Sequence, residues 1–176
     1  MFMTGPLILW LLFIAWVIHD IEEYLFFDRL SVSKDAGVQN IASKLSVPKN
    51  ILNDMATTKK QEGIAILIVG SLMLLATLAG YLNPDGIGMR FYGLVLGGTS
   101  LHTFSHAGSA VILRKYTPGV VTAVAVVLPA CVFIYVNLFG QQLLGIVEAI
   151  ILAVLGIVAF APLLLMVQRI AKRLTK

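Results

Sequence analysis

Five apolar runs dominate the chain, over residues 6–27, 61–82, 88–113, 118–139 and 143–167. Each is about twenty residues or longer, the length a helix needs to cross about 30 Å of hydrocarbon. Backbone groups in lipid must find their hydrogen-bond partners internally, and none of the runs alternates apolar and polar residues as a barrel strand does. The expected fold is therefore all-α, an integral membrane bundle of five transmembrane helices forming one domain over residues 1–176. Composition argues against a soluble alternative. Hydrophobic residues make up 59% of the chain and charged residues only 12%, with a mean hydropathy of +0.92, too few polar residues to cover a water-exposed surface.

Positive charge is distributed unevenly between the runs. Arg29, Lys34, Lys44, Lys49, Lys59 and Lys60 lie in or at the end of the polar segment 28–60, Arg90 alone lies near the next turn, and Arg114 and Lys115 precede the fourth run. None precedes the fifth, and Arg169, Lys172, Arg173 and Lys176 fill the tail. The positive-inside rule then places the N-terminus outside and the C-terminus in the cytoplasm, in a multi-pass protein of the cell membrane. The net charge of +4 reads as topology signal and contact with anionic lipid, so the expected partner is membrane lipid and not nucleic acid. Met1-Phe-Met-Thr-Gly-Pro6 has no basic region, and the first run is expected to be retained.

Within the polar segment, Ile41 to Leu45 and Val47 to Met55 mix apolar and polar residues, as short helices at headgroup level or an ordinary surface loop would. Thr58-Lys-Lys-Gln61 has the form of a capping box, and Asn83-Pro-Asp-Gly86 is a turn signal. The single cysteine, Cys131, excludes an intramolecular disulfide and a cysteine-based metal site. Five runs are too few for two matched halves of an inverted-repeat transporter, although a homo-oligomer would restore symmetry.

The first run is interrupted by His19-Asp-Ile-Glu22-Glu23. Steps of three and four residues from His19 reach Glu22 and Glu23, so these side chains share one stripe about 100° wide. Ionisable groups within a span turn toward the bundle interior or a wet cavity, which makes the stripe a candidate site. On the third run, His102 and His106 share a face by the same spacing. At about 1.5 Å per residue, His19 lies roughly 15 Å from Arg29, and His106 about 12 Å from Arg114. All three histidines therefore fall in one layer of the cytoplasmic half. Gly93, Gly97, Gly98, Ala107, Gly108 and Ser109 on or beside the histidine face suit a close helix interface with the first run. His19, Glu22, Glu23, His102 and His106 are the expected ligands of a divalent metal, zinc first, with the alternative of a purely hydrogen-bonded network. With a metal, Glu22 and Glu23 are the candidate catalytic pair, one ligating and the other acting as general base or as a hydrogen-bond partner that orients a ligand. Glu62, Arg114 and Tyr116 are weaker candidates for substrate binding. Each has a blander alternative, as first-turn acid or topology anchor.

His19-x-x-Glu22-Glu23, a later span bearing His106, and then Arg114-x-Tyr116-x-Pro118-Gly119-x-x-Thr122 together resemble the HXXEE motif family of integral membrane proteins. The resemblance runs from His19 through the fourth run, and it implies a metal-dependent hydrolase built on the His and Glu residues. Members often carry Asn where this chain has His102. Three functions compete: a membrane-embedded metallohydrolase acting on a lipid or lipid-linked substrate, an intramembrane binding or transport protein with a His/Glu relay for protons, metal ions or a small solute, and a bis-histidine haem carrier.

Overall fold

The computed structural model describes residues 6–29, 36–44 and 46–176; Met1 to Gly5, Lys34 and Leu45, which entered the reading above, lie outside them. The described residues are helical throughout their regular elements and contain no strand. Pro6–Leu9 forms a 3-10 turn leading into α1 (Trp10–Phe26), which closes in a second 3-10 turn, Phe27–Arg29. The polar segment holds two short helices, α2 (Ala36–Lys44) and α3 (Lys49–Met55). Four longer helical stretches follow: α4 (Lys59–Leu82), α5 (Ile87–Leu113), a continuous run of α6 (Val120–Thr122), a π-turn (Ala123–Val127) and α7 (Leu128–Gly140), and finally α8 (Ile146–Leu174).

Local chemistry accounts for these boundaries. Thr58 accepts from the Gln61 backbone and the Gln61 side chain accepts from the Thr58 backbone, the complete capping box that starts α4. The π-turn leads into α7, whose second residue, Pro129, has no N–H to give to a carbonyl four residues back, and the wider turn accommodates that loss. The fifth apolar run ends near Val167 in the sequence, but its helix continues through the basic tail to Leu174. Arg, Lys, Leu, Ala and Gln are all strong helix formers, and Lys172 and Arg173 complement the negative end of the helix dipole.

Among the described residues, three helices are long and apolar enough to cross a membrane, not five: Lys59–Leu82, Val120–Gly140 and Ile146–Leu174. The other two expected spans fall short, α1 in both length and polarity and α5 in polarity alone. His19, Asp20, Glu22 and Glu23 crowd α1, which is 17 residues long. The 27 residues of α5 include two histidines and a series of Gly, Ser and Thr. The histidines and one of the acids among this polar content are residues of the site.

Ile8, Leu9, Leu12, Met89, Tyr92, Leu96, Ile134 and Leu138 are fully or almost fully buried and tie the start of α1 to α5 and α7. The Tyr92 hydroxyl donates to the Leu9 carbonyl at 3.1 Å, satisfying a polar group inside this core. The glycine face of α5 is spent on α8, not on α1. A Cβ on Gly97 would stand 2.4 Å from the Ala153 Cα, and one on Gly156 would stand 2.1 Å from the Leu94 carbonyl oxygen. Small residues specify how closely helices approach, and here the partner is one of the three membrane-length apolar helices. Cys131 is buried in the core. Glu148, at the start of α8, pairs with Arg90 on α5 at 2.8 Å, well apart from the histidines.

Candidate metal centre

Three imidazoles and one carboxylate meet where α1, α5 and the start of α6 converge. His102 Nε2 lies 3.3 Å from His19 Nε2 and 3.1 Å from His106 Nε2. Glu23 faces the same point, with Oε1 3.3 Å from His106 Nε2 and Oε2 3.9 Å from His19 Nε2. The rings stand nearly perpendicular in pairs, at 84°, 83° and 90°. One donor atom from each of the four residues lies within 4.8 Å of all the others.

The outward nitrogens fix the direction of the inward lone pairs. His106 Nδ1 lies 3.0 Å from the Pro118 carbonyl, which can only accept, so the proton sits on Nδ1 and a neutral ring leaves a lone pair on Nε2. For His19 the same result arises through a relay. Thr122 Oγ1 donates to Glu22 Oε2 at 2.6 Å and is thereby left to accept from His19 Nδ1 at 3.1 Å. A single proton on His102 Nε2 serves at most one of its two imidazole neighbours, so lone pairs and a carboxylate are left facing one another. That is a donor set that a cation completes.

The spacing also fits. Zinc bonds of about 2.0–2.1 Å in a tetrahedron set ligand atoms about 3.3–3.4 Å apart. Three of the four short separations here, at 3.1, 3.3 and 3.3 Å, are close to that value. A three-nitrogen, one-oxygen set suits zinc and other divalent transition metals, so the residues could hold such an ion without fixing which one.

The family model for the protein of unknown function with HXXEE motif matches residues 10–134. The chain belongs to the HXXEE family. Comparison with curated proteins and with solved structures returned no match.

The two glutamates of the HXXEE motif part company. Glu23 turns to the histidines, whereas Glu22 turns to the backbone at the start of α6. There Glu22 Oε1 accepts from the Tyr116 hydroxyl at 2.6 Å and from Val121 N at 3.4 Å, and Oε2 accepts from Thr122 N at 2.7 Å as well as from the Thr122 hydroxyl. Gly119 occupies the N-cap position of α6 and has no side chain with which to cap it. Glu22, reaching across from α1, does so instead and meets the positive end of the helix. Of the five expected ligands, the structure gathers four, His19, Glu23, His102 and His106, and sets Glu22 behind them.

Most of the Arg114-x-Tyr116-x-Pro118-Gly119-x-x-Thr122 motif consists of the groups that hold the four. Tyr116 and Thr122 fix Glu22, Pro118 fixes His106, and Gly119 lets the chain pass against the rings. Gly119 has φ of +83°, and a Cβ there would lie 2.7 Å from His19 Cε1, 2.8 Å from Glu23 Cγ and 3.0 Å from His106 Cε1. Arg114 is an exposed residue in the left-handed conformation that closes α5. Glu62 on α4 accepts from the Thr57 hydroxyl at 3.0 Å and stands close enough to Glu23 to interact electrostatically. Thr122 and Pro118 stood out in the sequence only as motif letters. A glycine N-cap with no polar side chain of its own was the available sign that a distant acid was needed.

Tyr116→Phe removes one of the four donors to Glu22 while leaving the ring against Phe26. Stability is expected to fall by about 1–2 kcal/mol, seen as a lower midpoint in a detergent thermal melt, with the cluster otherwise intact.

Proposed function

We propose that this protein is a membrane-embedded, metal-dependent hydrolase acting on a lipid or lipid-linked substrate from the cytoplasmic leaflet. In this proposal all five long helical stretches cross the membrane, with the N-terminus outside, as the loop charges favour. The more polar α1 and α5 are sheltered by the three apolar helices. The carrying observation is the convergence of three Nε2 atoms and a carboxylate, with two of the outward nitrogens locked by hydrogen bonds.

His19, His102, His106 and Glu23 would hold the ion. With all four bound, water would have to add as a further ligand, and there a divalent ion would supply Lewis-acid polarisation of a carbonyl or phosphoryl oxygen and acidify the water. Glu23 presents both oxygens to the centre, so the oxygen not engaged in binding is placed to accept a proton from the attacking water. Glu22 is a positioning residue: through Thr122 it keeps the His19 lone pair pointed inward. Arg114, exposed beyond the cluster, is placed for an anionic headgroup.

Metal content of the detergent-purified protein, measured by mass spectrometry, tests the proposal. About one equivalent of zinc or another transition metal, lost in His19→Ala and in His106→Ala, is expected. Lipid-ester and phosphoester hydrolysis would then be screened with the loaded protein. A folded parent protein that is metal-free and takes up no added metal would overturn the hydrolase and favour a proton relay through Glu23 and Glu62.

A further inference from the structure

Beside the metal centre, α5 loses the cover that α8 gives it elsewhere. In the N-terminal half of α5 the two helices touch: a Cβ on Gly93 would meet Leu152, one on Gly97 would meet Ala153, and one on Gly98 would stand 3.4 Å from the Phe160 ring. Ser105, Ser109 and Ile112 continue the face of Leu94 and Gly98 at helical spacing. Yet all three are exposed, and a Cβ on Gly108 would meet nothing within 4 Å. Pro162, just beyond Phe160, has no N–H for the Val158 carbonyl and gives α8 a point at which to turn away. The end of α8 is held at α3 and α4 instead, where Lys172 donates to the Asn53 carbonyl and Gln61 donates to the Thr175 hydroxyl at 3.1 Å.

The gap between α5 and α8 leads to the imidazole cluster. His102 is only half-buried, and its ring lies 5.2 Å from the Phe160 ring, centroid to centroid. Its Nε2 faces the other two histidines, whereas its Nδ1 has no partner among the described residues and is not sealed inside. Of the three rings, this one therefore reaches the surface. Ser105 adjoins it directly, its hydroxyl donating to the His102 carbonyl at 2.7 Å. In the proposed arrangement, a gap on the side of a membrane helix opens onto lipid and not onto water. Small residues and one aromatic ring line it, which leaves room for a chain and keeps its walls compatible with one.

We infer that this gap is the lateral entrance of the metal centre, through which a lipid brings the ester at the head end of its chain to the cluster, with Phe160 setting the width at the inner end. The inference rests on the hydrolase reading and deepens it: the substrate is drawn sideways from the bilayer, and Phe160 is a specificity-determining residue.

Photolabelling tests the entrance without relying on turnover. The full chain in phosphatidylcholine nanodiscs, stripped of metal with a chelator, is irradiated with a monoacylglycerol that carries a diazirine beside its ester carbonyl, and the label is mapped by mass spectrometry. Saturable label on His102 or Glu23 is expected. Ser105→Trp, which fills the gap from an exposed position, should cut that label about ten-fold. Phe160→Ala, which widens the inner end, should raise it severalfold and serves if Ser105→Trp does not fold. Label confined to lipid-facing residues such as Val154 and Val158 would overturn the inference. So would label at the cluster that either substitution leaves unchanged, or equal label from a water-soluble diazirine ester without the chain. Metal content decides the hydrolase reading and this label decides the entrance, so the two can fail separately.

Discussion

Gly119→Ala is expected to disable the metal centre and destabilise the protein, although it adds a single methyl group. The left-handed backbone at Gly119 imposes about 1–2 kcal/mol on any residue bearing a Cβ. The new carbon would also press on His19, Glu23 and His106 at 3.0 Å or less. Three of the four proposed ligands must then move outward together, and a ligand set displaced by most of an ångström no longer encloses an ion. Metal affinity should fall by about 100-fold or more, the upper range seen when groups supporting ligands are lost, and the thermal midpoint should fall with it. Mass spectrometry after dialysis and a detergent melt check both effects. Full metal retention would show that the loop relaxes away from the rings and that Gly119 is only a turn residue.

Glu22→Gln separates positioning from proton transfer. The Glu22 carboxylate accepts from four donors, and an amide must turn its NH₂ toward some of them. At least one buried donor then faces another donor, at about 1–3 kcal/mol for each group left unsatisfied. The hydroxyl of Thr122 is also released from its fixed direction, so the His19 lone pair is no longer held inward. Metal affinity is expected to drop by about 10–100-fold, yet binding should recover at higher metal concentration. Glu23→Gln removes a proposed ligand outright, and its loss should not recover in the same range. Undiminished metal in Glu22→Gln together with abolished turnover would instead make Glu22 the proton acceptor.

The cluster was legible because ionisable residues are conspicuous in apolar runs and helical spacing places them on faces. His19 with Glu23, and His102 with His106, are each one turn apart, so the shared face of each pair and their common depth followed from local geometry, whereas contact between the two helices did not. Glu22 and Glu23 could not be told apart in that way. They differ by one step of about 100°, and which of them meets α5 and which meets α6 depends on how three helices pack. The glycine face of α5 was visible but its partner was not, because small residues admit any smooth helix and α8 supplied one. Capping of α6 by a residue about a hundred positions earlier has no local signature beyond the bare Gly119. The tail was read as topology charge, and its helix-forming residues carried α8 onward to Gln61 and Asn53, which meet Thr175 and Lys172.

His19 waits for its partners. They lie 83 residues later in His102 and 103 residues later in Thr122. At synthesis rates of about 5–20 residues per second, that interval is on the order of 5 to 20 seconds. For that time α1 has left the ribosome with its histidine and glutamates unmatched, and the residues that satisfy them are not yet made. Insertion of this chain is therefore a problem of order: its first helix must be kept hydrated or sheltered at the membrane until α5 and α6 arrive to enclose it.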